Sequence, residues 1–400
     1  MQHGLPPVYG PDTTVKNWEQ RRVQIVHLFE ENVFGRTPQD GFEAHSELLY
    51  TTDALDGAAK RELYRITVHT RHGSAAFHLA LVLPRSENPV PAVLMISNHD
   101  KEPSAAAVPD PVSLGRLMAC APKAWWEEAE QMIAAFRKNG APVPHLLDIE
   151  QDVTQGYWPV ERIVASGRAA AAFYASEVQP DDCGQFPSKL ASLFTATVTE
   201  REPDGWGALG VWAFAASRAA DVLCAHAEVD AGRISLAGHS RGGKTALWCA
   251  AQDTRIRAVF VNNSGCTGAA VSRGKRGENV ASINAFFPHW FCPGYAQYAW
   301  REDEMPFDQH MLLAAVAPRL CYVASGTRDT WSDPDAEWRG IKQADAAWHL
   351  FRRQGLPQDA PAAGKPIFTQ GVGYHRREGG HDLTAWDWEQ FLLFLDKNNG

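Results

Sequence analysis

The chain has 400 residues and a formal net charge of −9, with 45% apolar and 21% charged residues. An acidic chain of ordinary globular composition lacks the basic face that nucleic-acid-binding proteins need, so we exclude nucleic acid as a partner. We find no apolar run approaching the roughly 18–20 residues of a membrane span, and no signal peptide in the chain as given. We therefore expect no membrane partner.

In the first half, an apolar stripe predicts a helix over residues 15–34, and alternation or short apolar runs predict strands at 61–69, 77–84, 91–97 and 168–178. The Pro-rich and Trp-rich residues 101–160, with a helix near 123–138, are interpreted as an insertion on a core. Residues 1–60 are interpreted as an N-terminal helical and strand extension of one domain that spans 1–400.

The second half alternates strands and helices with short connections. Strands are predicted at 232–238, 256–265 and 318–326, and helices at 209–223, 243–252, 308–317 and 384–398. The last helix begins with a predicted capping box of Thr384 and Asp387. This alternation predicts an α/β fold, a three-layer αβα sandwich around a mostly parallel sheet.

One tight turn carries the motif G-x-S-x-G, at Gly238, Ser240 and Gly242. An apolar strand precedes it and a helix follows, which is the setting of a nucleophile elbow in an α/β-hydrolase. Small residues at 238 and 242 let the strand and helix approach, and the turn exposes the serine hydroxyl. The alternative is a chance match in a Gly-rich turn; we interpret Ser240 as the nucleophile.

A serine nucleophile needs a base and an acid, which follow it in chain order in this fold. His381 lies in a Gly-rich loop before the last helix, whereas its competitor His375 is nearer a strand end and is expected to be a surface residue. Asp329 lies just beyond the predicted strand 318–326, where acids of this fold are found. The alternative acids follow it closely: Asp333, Asp335 and Glu337.

Six stretches in this order resemble the bacterial glucuronoyl esterases of carbohydrate esterase family 15: GHSRGGKTALW, NNSGCTGAAVSR, NAFFPHWFC, MPFDQHMLLAAVAPR, TWSDPDAEW and GYHRREGGHDLT. The resemblance covers residues 204–395. It implies an α/β-hydrolase that cleaves esters between 4-O-methyl-glucuronic acid of glucuronoxylan and lignin alcohols, with neither metal nor cofactor. It also implies a secreted or periplasmic protein, and we expect a monomer.

The resemblance extends to individual positions. Ser240 and His381 match the nucleophile and the base, and Arg241 matches an arginine that helps to hold the oxyanion. Lys244, Glu278 and Trp331 match sugar-contacting positions, although solvated charges at the first two and core packing of the tryptophan are the alternatives.

One position departs from the family pattern. Many members carry the acid as Glu on the strand after the elbow, where this chain has Asn263, while Asp329 matches the alternative acid position of some bacterial members. Two other functions remain open: an esterase on another carbohydrate ester such as acetyl-xylan, or a catalytically weak carbohydrate-binding protein on the same fold.

Overall fold

A ten-stranded β-sheet runs through the residues that the computed structural model describes, which are 4–98, 156–195 and 201–398. Its strands are β1 (Phe42–Ala54), β2 (Ala59–Thr70), β3 (Gly73–Pro84), β4 (Val90–Ser97), β5 (Ala169–Tyr174), β6 (Val229–His239), β7 (Ile256–Asn262), β8 (Leu320–Gly326), β9 (Ile367–Phe368) and β10 (Val372–Arg377). The spatial order is β1-β2-β3-β5-β4-β6-β7-β8-β10-β9. The six strands from β5 to β10 in this order are parallel, and the outer strands pair antiparallel.

Helices connect the strands. The α-helices of the described residues are α1 (Trp18–Phe29), α2 (Val160–Ala165), α3 (Ala175–Val178), α4 (Ala208–Ala225), α5 (Arg241–Gln252), α6 (Val280–Phe286), α7 (Gln309–Ala314), α8 (Pro334–Ala344), α9 (Ala346–Leu350) and α10 (Ala385–Lys397). Short 3-10 turns lie at Leu55–Gly57, Cys183–Gln185, Ala191–Leu193, Pro293–Tyr298 and Glu302–Glu304.

The parallel strands are buried on both faces, because successive side chains of a strand point to opposite sides. In β4, Leu94 and Ile96 belong to the core beneath α4 and α5, whereas Val93 and Met95 belong to the core beneath α2 and α10. Two apolar layers therefore enclose the sheet, and the predicted three-layer αβα arrangement is confirmed.

Several sequence predictions are confirmed, including the strands at 61–69, 77–84 and 91–97 and the capping box of Thr384 and Asp387. The predicted strand over 168–178 is wrong in its second half, because the chain leaves the sheet after Tyr174 and turns into α3. There Glu177 accepts hydrogen bonds from the backbone and ring of His78, at 3.1 and 2.6 Å. The predicted helix at 123–138 and most of the insertion lie outside the described residues.

Helix α4 corrects the expectation that no apolar run has the length of a membrane span. By length and composition α4 could cross a membrane, but 72% of it is buried inside the protein. It packs against α5 and β6. Its apolar composition is that of a helix in the core of the domain.

Candidate active site

The turn between β6 and α5 is strained at Ser240, which has φ 55° and ψ −125°. The crossing of strand and helix leaves no room for side chains, because a Cβ on Gly238 would lie 2.1 Å from the carbonyl oxygen of Gly242. The Ser240 side chain makes no capping hydrogen bond to α5. A strained, glycine-bounded turn at the carboxyl edge of a parallel sheet is the geometry of a nucleophile elbow.

An imidazole and a carboxylate meet beside this turn. His381 Nδ1 lies 2.7 Å from Asp329 Oδ2, and Asp329 Oδ1 accepts a 3.2 Å hydrogen bond from Ser332 N. The His381 ring centroid is 4.7 Å from that of His239, the residue before the elbow serine. The Asp329 side chain is 3% exposed and that of His381 is 43% exposed, so the carboxylate is buried and the imidazole is accessible to solvent.

The buried carboxyl of Asp329 stays ionised. Burial alone would raise its pKa, but hydrogen bonds from His381, Asn263 and Ser332 hold that pKa well below the usual range. An ionised carboxylate fixes a proton on His381 Nδ1 and leaves Nε2 as the nitrogen that can accept one.

His375, the competing histidine, is not a surface residue as the sequence suggested. Its side chain is fully buried in β10, where Nε2 lies 2.8 Å from Asp387 Oδ1 and Nδ1 accepts the Tyr322 hydroxyl at 2.8 Å. Burial lowers the pKa of His375, although Asp387 opposes this. Both ring nitrogens are therefore engaged in holding β10 to β8 and α10.

The three alternative acids have other contacts. Asp333 caps α8 by accepting from Ala336 N at 3.1 Å, and Asp335 pairs with Arg376 at 2.7 Å. Glu337 is fully buried and accepts from Ser325 Oγ at 2.7 Å. Among these carboxylates Asp329 is the one that contacts His381.

Two residues with opposite charges are buried next to the elbow: Lys244, one turn along α5, and Glu278, just before α6. Lys244 Nζ lies 3.7 Å from Glu278 Oε2 and donates to the carbonyl of Ser264. The backbone N–H of Glu278 donates to the Trp331 carbonyl at 3.1 Å. The structure thus brings Lys244, Glu278 and Trp331 together, and Trp331 is half-buried rather than part of the core.

Arg241, the first residue of α5, extends across the elbow towards β4 and the segment after α3. Its Nε lies 2.7 Å from Asp181 Oδ2, and its Nη2 donates to the carbonyl of Asn98 at 3.0 Å. The guanidinium is therefore held from two sides next to Ser240.

Comparisons with known proteins show the family of this chain. A family model described as "Glucuronyl esterase, fungi" matches residues 133–352. "Carbohydrate esterase MZ0003", from an unknown prokaryotic organism, is 33% identical over 96% of this chain and 86% of its own length. The chain belongs to the bacterial glucuronoyl esterases of carbohydrate esterase family 15.

Solved structures of this family support the assignment. A glucuronoyl esterase from Solibacter usitatus is 34% identical, with a TM-score of 0.81 over 99% of this chain and 98% of that chain. A promiscuous family 15 esterase from a marine bacterial metagenome is 31% identical, with the same TM-score over 100% and 98% of the two chains. This glucuronoyl esterase thus has the α/β-hydrolase fold and is a carboxylic ester hydrolase.

The sequence analysis does not identify two residues of this glucuronoyl esterase site, Asp181 and Lys275. Asp181 stands in the stretch QPDDC, which reads as a turn, and nothing in the sequence ties it to Arg241 sixty positions away. Lys275, in the basic run RGKRG, donates to the Trp331 carbonyl at 2.8 Å, and burial lowers its pKa.

Within the described residues, no group of three or more His, Cys, Asp or Glu side chains could hold a metal ion. The cysteines of those same ranges are free thiols, and Cys249 and Cys321 lie buried in the core.

Proposed function

We propose that this protein hydrolyses the ester between 4-O-methyl-glucuronic acid of glucuronoxylan and lignin alcohols. The observation that carries the proposal is the buried Asp329 in contact with His381 beside the strained elbow of Ser240. The name of the Solibacter usitatus relative, a glucuronoyl esterase, supports the uronate as the acyl group.

In the proposed mechanism, His381 Nε2 takes the hydroxyl proton of Ser240, which attacks the ester carbonyl of the uronate. Asp329 stabilises the imidazolium that forms. The alcohol leaves with the proton from His381, and a glucuronoyl ester on Ser240 remains. Water, deprotonated by His381, then attacks that ester and releases glucuronate and the free serine.

Negative charge develops on the carbonyl oxygen of the ester when Ser240 attacks it, and again when water attacks the glucuronoyl ester. Arg241 is the first residue of α5, so its backbone N–H and its guanidinium both lie next to Ser240. We assign both groups as hydrogen-bond donors to the oxyanion. Removing a single donor from an oxyanion hole typically costs on the order of 10²–10³ in rate.

The sugar would be held by the buried pair of Lys244 and Glu278, with Trp331 along its face. A lysine donates and a carboxylate accepts, so the pair can read the hydroxyls of one sugar by their positions. Because both groups are buried, a sugar with a misplaced hydroxyl would leave one of them unpaired.

The test is hydrolysis of a benzyl glucuronate ester by wild type and Ser240→Ala. We expect the variant to lose at least about 10⁴-fold in kcat while it unfolds at a temperature close to wild type. A matched control is Ser217→Ala on α4. It removes a hydroxyl that donates to Asp253 at 2.7 Å, and kcat should stay at the wild-type value. Near-normal turnover by Ser240→Ala would exclude the mechanism.

A second candidate is an esterase of broader carbohydrate specificity, including acetyl-xylan. The marine relative described as a promiscuous esterase favours it. Comparing kcat/KM on benzyl glucuronate and on acetylated xylan decides between them, since a glucuronate-specific site should prefer the first substrate by at least about 10²-fold.

The third possibility, a carbohydrate-binding protein with weak catalysis, came from Asn263 at the usual acid position. Asp329 supplies a carboxylate to the imidazole of His381, so we expect a functional enzyme rather than a binding protein. A burst of alcohol release from an activated uronate ester would separate a working acyl-enzyme pathway from binding alone.

A further inference from the structure

The side chain of Arg241 is held at a fixed place by residues outside its own helix. Its Nε lies 2.7 Å from Asp181 Oδ2, in the segment after α3, and its Nη2 donates to the carbonyl of Asn98 at the end of β4. These contacts engage two of the five N–H groups of the guanidinium fork. A planar group held at two points has its orientation fixed as well as its position.

Asp181 is in turn held by two donors on its other oxygen. Oδ1 accepts from His289 Nε2 at 2.9 Å and from Trp290 Nε1 at 2.6 Å. The Asp181 side chain is 9% exposed and that of His289 is 1% exposed. Burial opposes ionisation, but Arg241, His289 and Trp290 together hold the pKa of Asp181 below its ordinary value. The carboxylate is thus charged and fixed.

His289 and Trp290 belong to a rigid part of the fold. The backbone N–H of Ala208, the first residue of α4, donates to the His289 carbonyl at 2.8 Å. A Cβ on the preceding Gly207 would lie 2.3 Å from the Trp290 carbonyl oxygen, so this contact requires glycine. The donors that orient Asp181 are therefore attached to the buried helix α4.

We propose that Asp181, oriented by His289 and Trp290, is a positioning residue that fixes the Arg241 guanidinium where the ester oxyanion forms. The inference rests on the proposed function, because it concerns the transition state of that reaction. An oxyanion donor is most effective when it is already oriented before charge develops. Asp181 supplies that orientation from outside the catalytic turn, without touching substrate.

The test is the kinetic effect of Asp181→Asn on benzyl glucuronate hydrolysis. The amide can still accept from His289 and Trp290 with its oxygen, but its NH₂ then faces Arg241 Nε, and the two donors repel. A displacement of about 1 Å in a catalytic group can cost on the order of 100-fold. We expect kcat to fall about 10- to 100-fold while KM changes less than about threefold, because the guanidinium acts on the transition state.

A double variant separates positioning from a general structural role. If Asp181 acts through Arg241, then Asp181→Asn/Arg241→Ala should be within about threefold of Arg241→Ala alone, since the second change has nothing left to misplace. A merely structural role would multiply the two losses. Wild-type kcat in Asp181→Asn, or multiplied losses in the double variant, would overturn the inference.

Two further variants keep the test decisive. Should Asp181→Asn fail to fold, Trp290→Phe removes one donor to Asp181 and keeps an aromatic ring against Phe287, whose centroid is 3.8 Å away. It should lower kcat with KM unchanged, and an unaltered kcat would overturn the inference. The control is Asp221→Asn, which removes an Asp–Arg pair with Arg255 at the amino end of β7 and should keep wild-type kinetics.

The same assay distinguishes this inference from the proposed function. Failure of wild type to hydrolyse the ester, or full activity in Ser240→Ala, rejects the proposed function. An active wild type, an inactive Ser240→Ala and an unaffected Asp181→Asn reject only the role of Asp181.

Discussion

Asn263 and Asp329 share one hydrogen bond, 2.6 Å from Asn263 Nδ2 to Asp329 Oδ2. The same carboxylate oxygen lies 2.7 Å from His381 Nδ1. The amide at the end of β7 and the acid after β8 therefore meet at a single atom beside the imidazole. Asn263 is thus a neutral donor to the carboxylate that follows the next strand.

His381 and His375 should respond differently to substitution. His381→Ala should lower kcat by a factor on the order of 10⁴ or more with little effect on stability, because its side chain is 43% exposed. His375→Ala should lower the free energy of unfolding by about 2–4 kcal/mol, because it removes a buried ring, takes one donor from Asp387 and removes the acceptor of the buried Tyr322 hydroxyl. Thermal unfolding and kcat of both variants check this.

The reverse pattern would assign the base to His375. At temperatures where His375→Ala remains folded, we expect its kcat to stay within about threefold of wild type, since surface and core changes away from the site act mainly on stability.

The pair of Lys244 and Glu278 should determine sugar preference. Lys244→Met keeps the apolar stem and removes the ammonium, so the contact with Glu278 at 3.7 Å is lost. We expect the preference for glucuronate over galacturonate esters, measured as a ratio of kcat/KM values, to fall at least about tenfold. An unchanged ratio with a lower rate on both sugars would show that Lys244 does not read hydroxyls. Lys365→Ala, at an exposed lysine, is the control.

Glu337 should make stability depend on pH. Burial, with a contribution from the charge of Asp329, raises the pKa of Glu337 from 4.5 to about 7, although hydrogen bonds from Ser325 and Gly265 oppose the shift. The folded protein then binds more protons than the unfolded chain between pH 4.5 and 7. The free energy of unfolding must therefore fall as pH rises through this window.

Glu337→Gln removes the charge and keeps the shape. A pKa rise from 4.5 to about 7 corresponds to about 3 kcal/mol, so wild type should lose about that much more than the variant between pH 4.5 and 7.5. Denaturant unfolding at several pH values measures it. The exposed Asp335→Asn, on the same helix, should follow the wild-type curve, and parallel curves for Glu337→Gln would contradict the prediction.

The sequence revealed those parts of the fold whose signal is local. The buried run of β6, the glycines around Ser240 and the helix after them lie within twenty residues of one another. A strand was expected somewhere in residues 1–60, but the position of β1 was not predicted, because most of its residues are exposed and no apolar alternation marks it. Asp181 was missed for another reason: its role depends on Arg241, His289 and Trp290, which only the folded chain brings together.

The acid can be tested by moving the carboxylate to the neighbouring strand. Asp329→Asn leaves two neutral amides beside His381 and no charge to stabilise the imidazolium, so kcat should fall by a factor on the order of 10⁴. Adding Asn263→Glu returns a carboxylate from β7, and we expect it to restore the rate of Asp329→Asn at least about 10²-fold. Asp333→Asn keeps a side-chain oxygen that can still cap α8, so stability should change by less than about 1 kcal/mol, with kcat nearly unchanged.

Asn263→Glu alone should have the opposite effect. In the wild-type background it places a second carboxylate against Asp329 Oδ2, where the amide now donates at 2.6 Å. Two carboxylates that share one site cannot both ionise easily, so the pKa of one rises and the acid beside His381 is partly neutralised. The substitution should therefore lower kcat in wild type and raise it in Asp329→Asn. An effect of Asn263→Glu with the same sign in both backgrounds would contradict Asp329 as the catalytic acid. So would a loss of kcat below about tenfold for Asp329→Asn together with a nearly inactive Asp333→Asn.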